Sequence, residues 1–197
     1  MSVIIYALAW LSFAVVHSLL ARLSIQKKLE HHVKGGYRLL YNALSLVHIG
    51  AVFLIGKSLL ETQTYNTLSD PIISSLFLAI KLAGVIVIVW SLTKYDLGRF
   101  SGITQFRKLE YLSTVSEEPL QRSGLNSWVR HPLYSGAFLY LWGSAGSSFG
   151  LWTAILGSLY LIVGTALEER KLITFYGEAY RQYQKEIPMY FPIKIPS

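Results

Sequence analysis

The chain has 197 residues, 52% of them hydrophobic and 15% charged, with a formal net charge of +7 and no cysteine. Soluble domains carry about 25% charged residues, so this chain has too few to cover a water-facing surface, and a soluble Rossmann or barrel enzyme is excluded. Without cysteine there is no disulfide, thiolate nucleophile, CxxC redox pair or Cys-ligated metal centre.

The expected fold is all-α, a polytopic membrane bundle of about five transmembrane helices with a C-terminal helical hairpin and a cytoplasmic tail. Crossing a bilayer takes about 20 apolar residues. A first span runs from Ser2 to Leu20 and ends at Arg22. No basic segment precedes it, so a cleaved secretory signal is not expected. The second runs from about Tyr37 to Leu60 and the third from about Pro71 to Leu92. After a polar stretch from Lys94 to Arg130, two further helices follow, about Pro132 to Ser147 and Leu151 to Tyr176. This divides a single domain into a three-helix region, 1–94, and a region carrying linker, hairpin and tail, 95–197.

Cations orient these spans. Arg22, Lys27, Lys28, Lys34 and Arg38 follow the first span, and Lys94, Arg99, Arg107, Lys108, Arg122 and Arg130 fill the linker. The tail adds Arg170, Lys171, Arg181, Lys185 and Lys194. Sixteen of the 18 Lys and Arg thus fall on one side of a five-span bundle, while the loops Glu61–Asp70 and Gly146–Gly150 hold none. Cytoplasmic loops gather Lys and Arg, which puts both long polar segments in the cytoplasm. The net positive charge is therefore read as membrane topology and not as a nucleic-acid surface.

Glycines recur every seven residues at 136, 143, 150, 157 and 164. Seven residues are close to two helical turns, so each arm of the hairpin carries a pair on one face. Small residues let helix backbones approach in lipid, and the two arms are expected to pack on each other. Counting from Phe149, His131 and Glu168 both lie about 27–29 Å from the turn. Arg130, His131, Glu168 and Glu169 should therefore meet near the cytoplasmic interface. Adjacent carboxylates there require water or a cationic partner. Pro132 suits the first helical turn, where free N–H groups around His131 offer a seat for an anion. Past Gly177 the chain reads as a short amphipathic helix with Tyr180 and Tyr183 on one side, then prolines 188, 192 and 196 keep it extended.

Together, Arg130-His131-Pro132-Leu133-Tyr134-Ser135-Gly136, the hairpin, Leu167-Glu168-Glu169, Phe175-Tyr176-Gly177-Glu178-Ala179-Tyr180-Arg181-Gln182-Tyr183, Ile187-Pro188 and Pro192 resemble the C-terminal signature of the isoprenylcysteine carboxyl methyltransferase superfamily. The resemblance covers about residues 118–192. That superfamily includes phospholipid N-methyltransferases, methanethiol S-methyltransferases and NnrU-type proteins, and NADPH-dependent sterol reductases share a related architecture. His17-Ser18-Leu19-Leu20-Ala21, Tyr37-Arg38-Leu39-Leu40-Tyr41-Asn42 and Gly102-Ile103-Thr104-Gln105 are similar to the methanethiol branch.

The resemblance implies S-adenosyl-L-methionine bound between the last two helices and the linker. Carried over, Leu120, Gln121, His131, Pro132, Leu133, Tyr134 and Glu168 would line the cofactor. Where the prenylcysteine enzymes place a substrate-binding arginine one turn before the glutamate, this chain has Gly164, which favours a smaller or uncharged acceptor, a thiol first. Arg130, His131 and Glu169 are the catalytic candidates: Arg130 for the cofactor's carboxylate, His131 or Glu169 as the base for a thiol. Prenylcysteine carboxyl or phospholipid N-methylation, a sterol-type reductase and a non-catalytic membrane protein stand as alternatives. Expected partners are the lipid bilayer and a small thiol or lipidic acceptor, with no metal and no nucleic acid. The simplest location is a prokaryotic inner membrane. His17, His48 and Lys81 lie inside spans, where polar groups bond neighbouring helices or meet substrate, and His31-His32 are read as interfacial.

Overall fold

The computed structural model describes residues 1–61, 66–108 and 119–193, without the side chains of Leu23, Glu30, His31, Asn66 and Thr67. Among the described residues every regular element is helical. Four helices are long and apolar enough to cross a membrane, Ser2–Leu20, Lys34–Leu59, Pro71–Leu92 and Ser148–Tyr176, with mean hydropathy between 1.7 and 2.6. The fifth expected segment is helical only over Pro132–Gly143, 12 residues, or about 18 Å. Ser147 stops it early by capping the next helix, its Oγ accepting from Gly150 N at 3.1 Å.

The chain forms two compact units, Met1–Glu61 with Tyr95–Glu118, and Thr62–Lys94 with Pro119–Ser197. The helix 71–92 thus groups with the C-terminal region and not with the first two spans.

In the first unit, α1 (Ser2–Leu20) and α3 (Tyr37–Leu59) run antiparallel, joined through α2 (Leu23–Val33). Tyr6, Trp10 and Phe13 are buried along α1. Polar groups tie the two spans: His17 contacts Ser45 Oγ through Nδ1 at 3.0 Å and Tyr41 OH through Nε2 at 2.6 Å. Ser12 Oγ meets His48 Nε2 at 3.1 Å. These bonds answer the helix-to-helix expectation for both histidines. Two short helices, α5 (Leu97–Ser101) and α6 (Ile103–Lys108), meet at Gly102, whose φ of +91° and closeness to Leu39 N exclude a side chain.

In the second unit, α4 (Pro71–Leu92) starts at Asp70, whose carboxylate accepts from Ile72 N at 2.7 Å and Ile73 N at 3.3 Å, with Pro71 in the first turn. It packs against α7 (Pro132–Gly143) along a seam of glycines. A Cβ at Gly84 would lie 2.5 Å from Tyr140 N and 2.7 Å from Gly136 O, and one at Gly143 would lie 2.7 Å from Lys81 Cα. The α7 glycines therefore face α4, which corrects the expectation that they close the hairpin onto α8 (Ser148–Tyr176). The partner is Gly84, outside the seven-residue series. Gly164 of α8 has nothing within 4 Å of where a Cβ would stand. What ties α7 to α8 near the turn is Trp142 Nε1 donating to Ser158 Oγ at 3.1 Å. Lys81, in the middle of α4, sets its ammonium 5.5 Å from the Tyr140 ring centre, which gives the cation an aromatic partner. The last helix, α9 (Glu178–Glu186), turns in at Gly177, φ +58°.

Candidate active site

The site is built where α7 begins, where α8 nears its end, and where the tail from α9 to residue 191 folds back. The tail comes back because α9 is amphipathic: Tyr180 and Tyr183 are only 1% and 2% exposed, their rings 5.8 Å apart. Tyr183 OH donates to Asn126 O at 2.5 Å, and Arg122 pairs with Glu186. Beyond α9 the backbone runs beside the approach to α7: Arg130 N donates to Pro188 O at 2.9 Å and His131 N to Met189 O at 3.0 Å.

At the centre is Glu169, 7% exposed. Its Oε1 accepts from Arg130 Nε at 2.7 Å and from Tyr180 OH at 3.3 Å, and contacts His131 Nε2 at 3.1 Å. Its Oε2 accepts from Gln184 Nε2 at 2.8 Å. A buried carboxylate is tolerated only when its lone pairs are filled and its charge is paired, and both conditions are met here. Arg130 also donates through Nη1 to the carbonyls of Gln184 and Ile187, at 3.2 and 2.5 Å. The Glu169–Arg130 pair thus fastens the tail to α8.

Glu168, on the next position of α8, is half-buried and faces Tyr134, whose hydroxyl donates to Oε2 at 2.6 Å. The Tyr134 ring in turn stacks on His131 at 5.6 Å and 9°. The structure therefore brings Arg130, His131, Glu168 and Glu169 into one cluster, as the counting from Phe149 implies, and adds Tyr134 between His131 and Glu168.

Arg130, the candidate for the cofactor's carboxylate, directs its guanidinium to Glu169 and two tail carbonyls. Glu169, a candidate base, has both oxygens occupied, by Arg130, His131, Tyr180 and Gln184. The main-chain N–H of His131 is not an open anion seat, because Met189 takes it. Pro132 is fully buried and has no N–H to give. Leu133 supplies a first-turn N–H group that has no acceptor within the helix. Leu120 and Gln121 lie in the loop before residue 124, with Gln121 donating to Ser123 Oγ at 3.1 Å. Among the described residues no hydrogen bond joins them to the cluster. Tyr180 and Tyr183, the apolar side of that amphipathic helix, pack inward. Gln184 and Tyr190 were missed, since no spacing rule ties a tail residue to α8.

The implied S-adenosylmethionine carries a sulfonium and an ammonium against one carboxylate. Glu168 has one oxygen bound by Tyr134 and no hydrogen bond to the other among the described residues, so it can face a cation. The start of α7, with the Leu133 N–H, can face a carboxylate. This set of donors and acceptors fits the group.

No family model and no solved structure matches the chain. Its relatives are nonetheless plain. It is 28% identical over 185 residues to the methanethiol S-methyltransferase of Pseudomonas deceptionensis, covering 91% of this chain and 69% of that protein. To methanethiol S-methyltransferase 1 of Bradyrhizobium diazoefficiens it is 27% identical over 196 residues, 97% of this chain and 67% of that one. The protein-S-isoprenylcysteine O-methyltransferase of Rattus norvegicus matches at 28% over 117 residues, 56% of this chain and 40% of the rat protein.

These relatives are methyltransferases of the kind the C-terminal signature resembles. The similarity that runs along nearly the whole of this chain is to the methanethiol S-methyltransferases.

Proposed function

We propose that the chain is an integral-membrane, S-adenosylmethionine-dependent methyltransferase that methylates a small or membrane-partitioned thiol, working at the cytoplasmic face of a prokaryotic inner membrane. One observation carries this reading: a half-open carboxylate, Glu168, stands beside a buried histidine that a second, filled carboxylate holds in place.

S-adenosylmethionine supplies an activated methyl on a sulfonium. Glu168 and the first turn of α7 would hold it by its opposite charges. His131 gives its Nε2 to Glu169, and its Nδ1 has no hydrogen-bond partner among the described residues. That leaves Nδ1 to take the proton of a thiol, with Glu169 stabilising the imidazolium. Orientation in a water-excluded site contributes about 7–11 kcal/mol to such displacements, and the fastened tail supplies the enclosure. Gly164, with open space where a side chain would stand, offers no cation to a prenylcysteine carboxylate.

The test is transfer of labelled methyl by the full-length chain in detergent or vesicles, with methanethiol, a prenylcysteine and phospholipid as acceptors. Transfer to the thiol is expected. Transfer to prenylcysteine or phospholipid alone overturns the choice of acceptor, and cofactor binding without transfer to any of the three overturns the catalytic reading.

A further inference from the structure

Tyr190 is placed with unusual care for a residue in an irregular tail. Ser135 Oγ donates to its carbonyl at 2.5 Å. Its ring meets Phe138 edge-on at 4.9 Å and the His131 ring at 6.3 Å. Yet its hydroxyl oxygen, fully shielded from solvent, has no hydrogen-bond partner among the described residues. The Thr165 hydroxyl donates to Leu161 O at 2.8 Å, and its contact with the Tyr190 hydroxyl falls outside ordinary hydrogen-bond geometry. A buried hydroxyl left unmatched costs about 1–3 kcal/mol. Such a group, next to the site's histidine, has a bond to offer an incoming ligand.

The hydroxyl is a donor there. Burial first, with the charges of Glu169 and Glu168, outweighs the opposing pull of the Thr165 contact and of Arg130 and holds its phenol above the ordinary tyrosine range, so it keeps its proton. Its surroundings differ from those of Glu168: its ring neighbour is Phe138, with Phe191 6.5 Å beyond. An aromatic lining with one donor suits a small apolar molecule with one lone-pair atom and does not suit a zwitterion.

We infer that Tyr190 is a specificity-determining residue whose hydroxyl donates a hydrogen bond to the sulfur of the thiol acceptor. This rests on the proposed thiol methylation and adds the contact that recognises the acceptor. The test is Tyr190→Phe in the full-length chain, with methyl transfer to a short alkanethiol, affinity for S-adenosylhomocysteine by calorimetry, and the thermal midpoint measured together. A KM for the thiol raised about fivefold to tenfold is expected, with cofactor-product affinity unchanged and the midpoint unchanged or raised, since the variant loses an unmatched buried hydroxyl. An unchanged KM overturns the inference. So does a midpoint lowered by several degrees, which would show the hydroxyl satisfied inside the protein. Weakened S-adenosylhomocysteine binding with an unchanged KM assigns the hydroxyl to the cofactor and overturns the acceptor role. If the unaltered chain methylates no thiol, the proposed function itself has failed, a result distinct from all of these.

Discussion

Arg130 and Glu169 stand 39 positions apart in sequence, yet Nε and Oε1 are 2.7 Å apart, with both side chains less than a tenth exposed. Removing one partner of a buried pair leaves an uncompensated charge, at about 3–5 kcal/mol. Glu169→Ala should therefore lower the thermal midpoint sharply and open the tail to proteolysis. The double replacement Arg130→Met with Glu169→Leu should recover part of the midpoint but not the protease resistance, because the tail carbonyls of Gln184 and Ile187 lose their donor. A fully additive double variant would show that the two residues do not act as a pair.

Glu168→Gln should remove most of the affinity for S-adenosylhomocysteine while the midpoint stays within a degree or two. The carboxylate is half-buried and its structural tie is one hydrogen bond, from Tyr134. Tyr134→Phe should have a smaller effect of the same sign. Unchanged calorimetric affinity in Glu168→Gln would remove that residue from the cofactor site.

Two glycines separate packing from propensity. Gly84→Ala sets a methyl 2.5 Å from the Tyr140 nitrogen, so the helices must move apart, at about 1–3 kcal/mol or more. Gly164→Ala meets nothing within 4 Å, and alanine is about 1 kcal/mol the better helix former. The first should lower the midpoint and the second raise it, read by thermal denaturation in one detergent.

Burial, reinforced by the Glu169 charge, holds the Tyr180 phenol above its ordinary range. A folded-state value above the unfolded one gives stability that is complete below about pH 10 and is lost as pH climbs beyond it. Tyr180→Phe should flatten this alkaline loss relative to the unaltered chain, while midpoints near neutrality stay close, since the bond to Glu169 is a long 3.3 Å. Parallel alkaline limbs would refute the assignment.

What could be foreseen followed from rules that act along one helix. Apolar length located α1, α3, α4 and α8, and equal counting from Phe149 brought His131 level with Glu168. Rules along one helix cannot say which helix lies opposite. Gly136 and Gly143 were legible as a small-residue face, but Gly84, alone in its span, gave no sign of being its partner. The same blindness affected the charges. Arg130 and Glu169 read as chemically available because the Gln184 and Ile187 carbonyls that absorb Arg130 belong to a tail whose return path depends on Tyr180 and Tyr183 finding a core. Tyr190 carried no periodic signal at all.

The main-chain bonds from the consecutive residues Arg130 and His131 to Pro188 and Met189 hold the tail's backbone against the approach to α7 without forming a strand, and exposed backbone edges invite other chains to add on. Here the tail carries proline at 188 and again at 192, and proline has no hydrogen to offer a further partner. The pairing is thus self-terminating: it holds one length of its own chain and offers little edge for a neighbouring molecule to join, a safeguard for a protein crowded into a membrane.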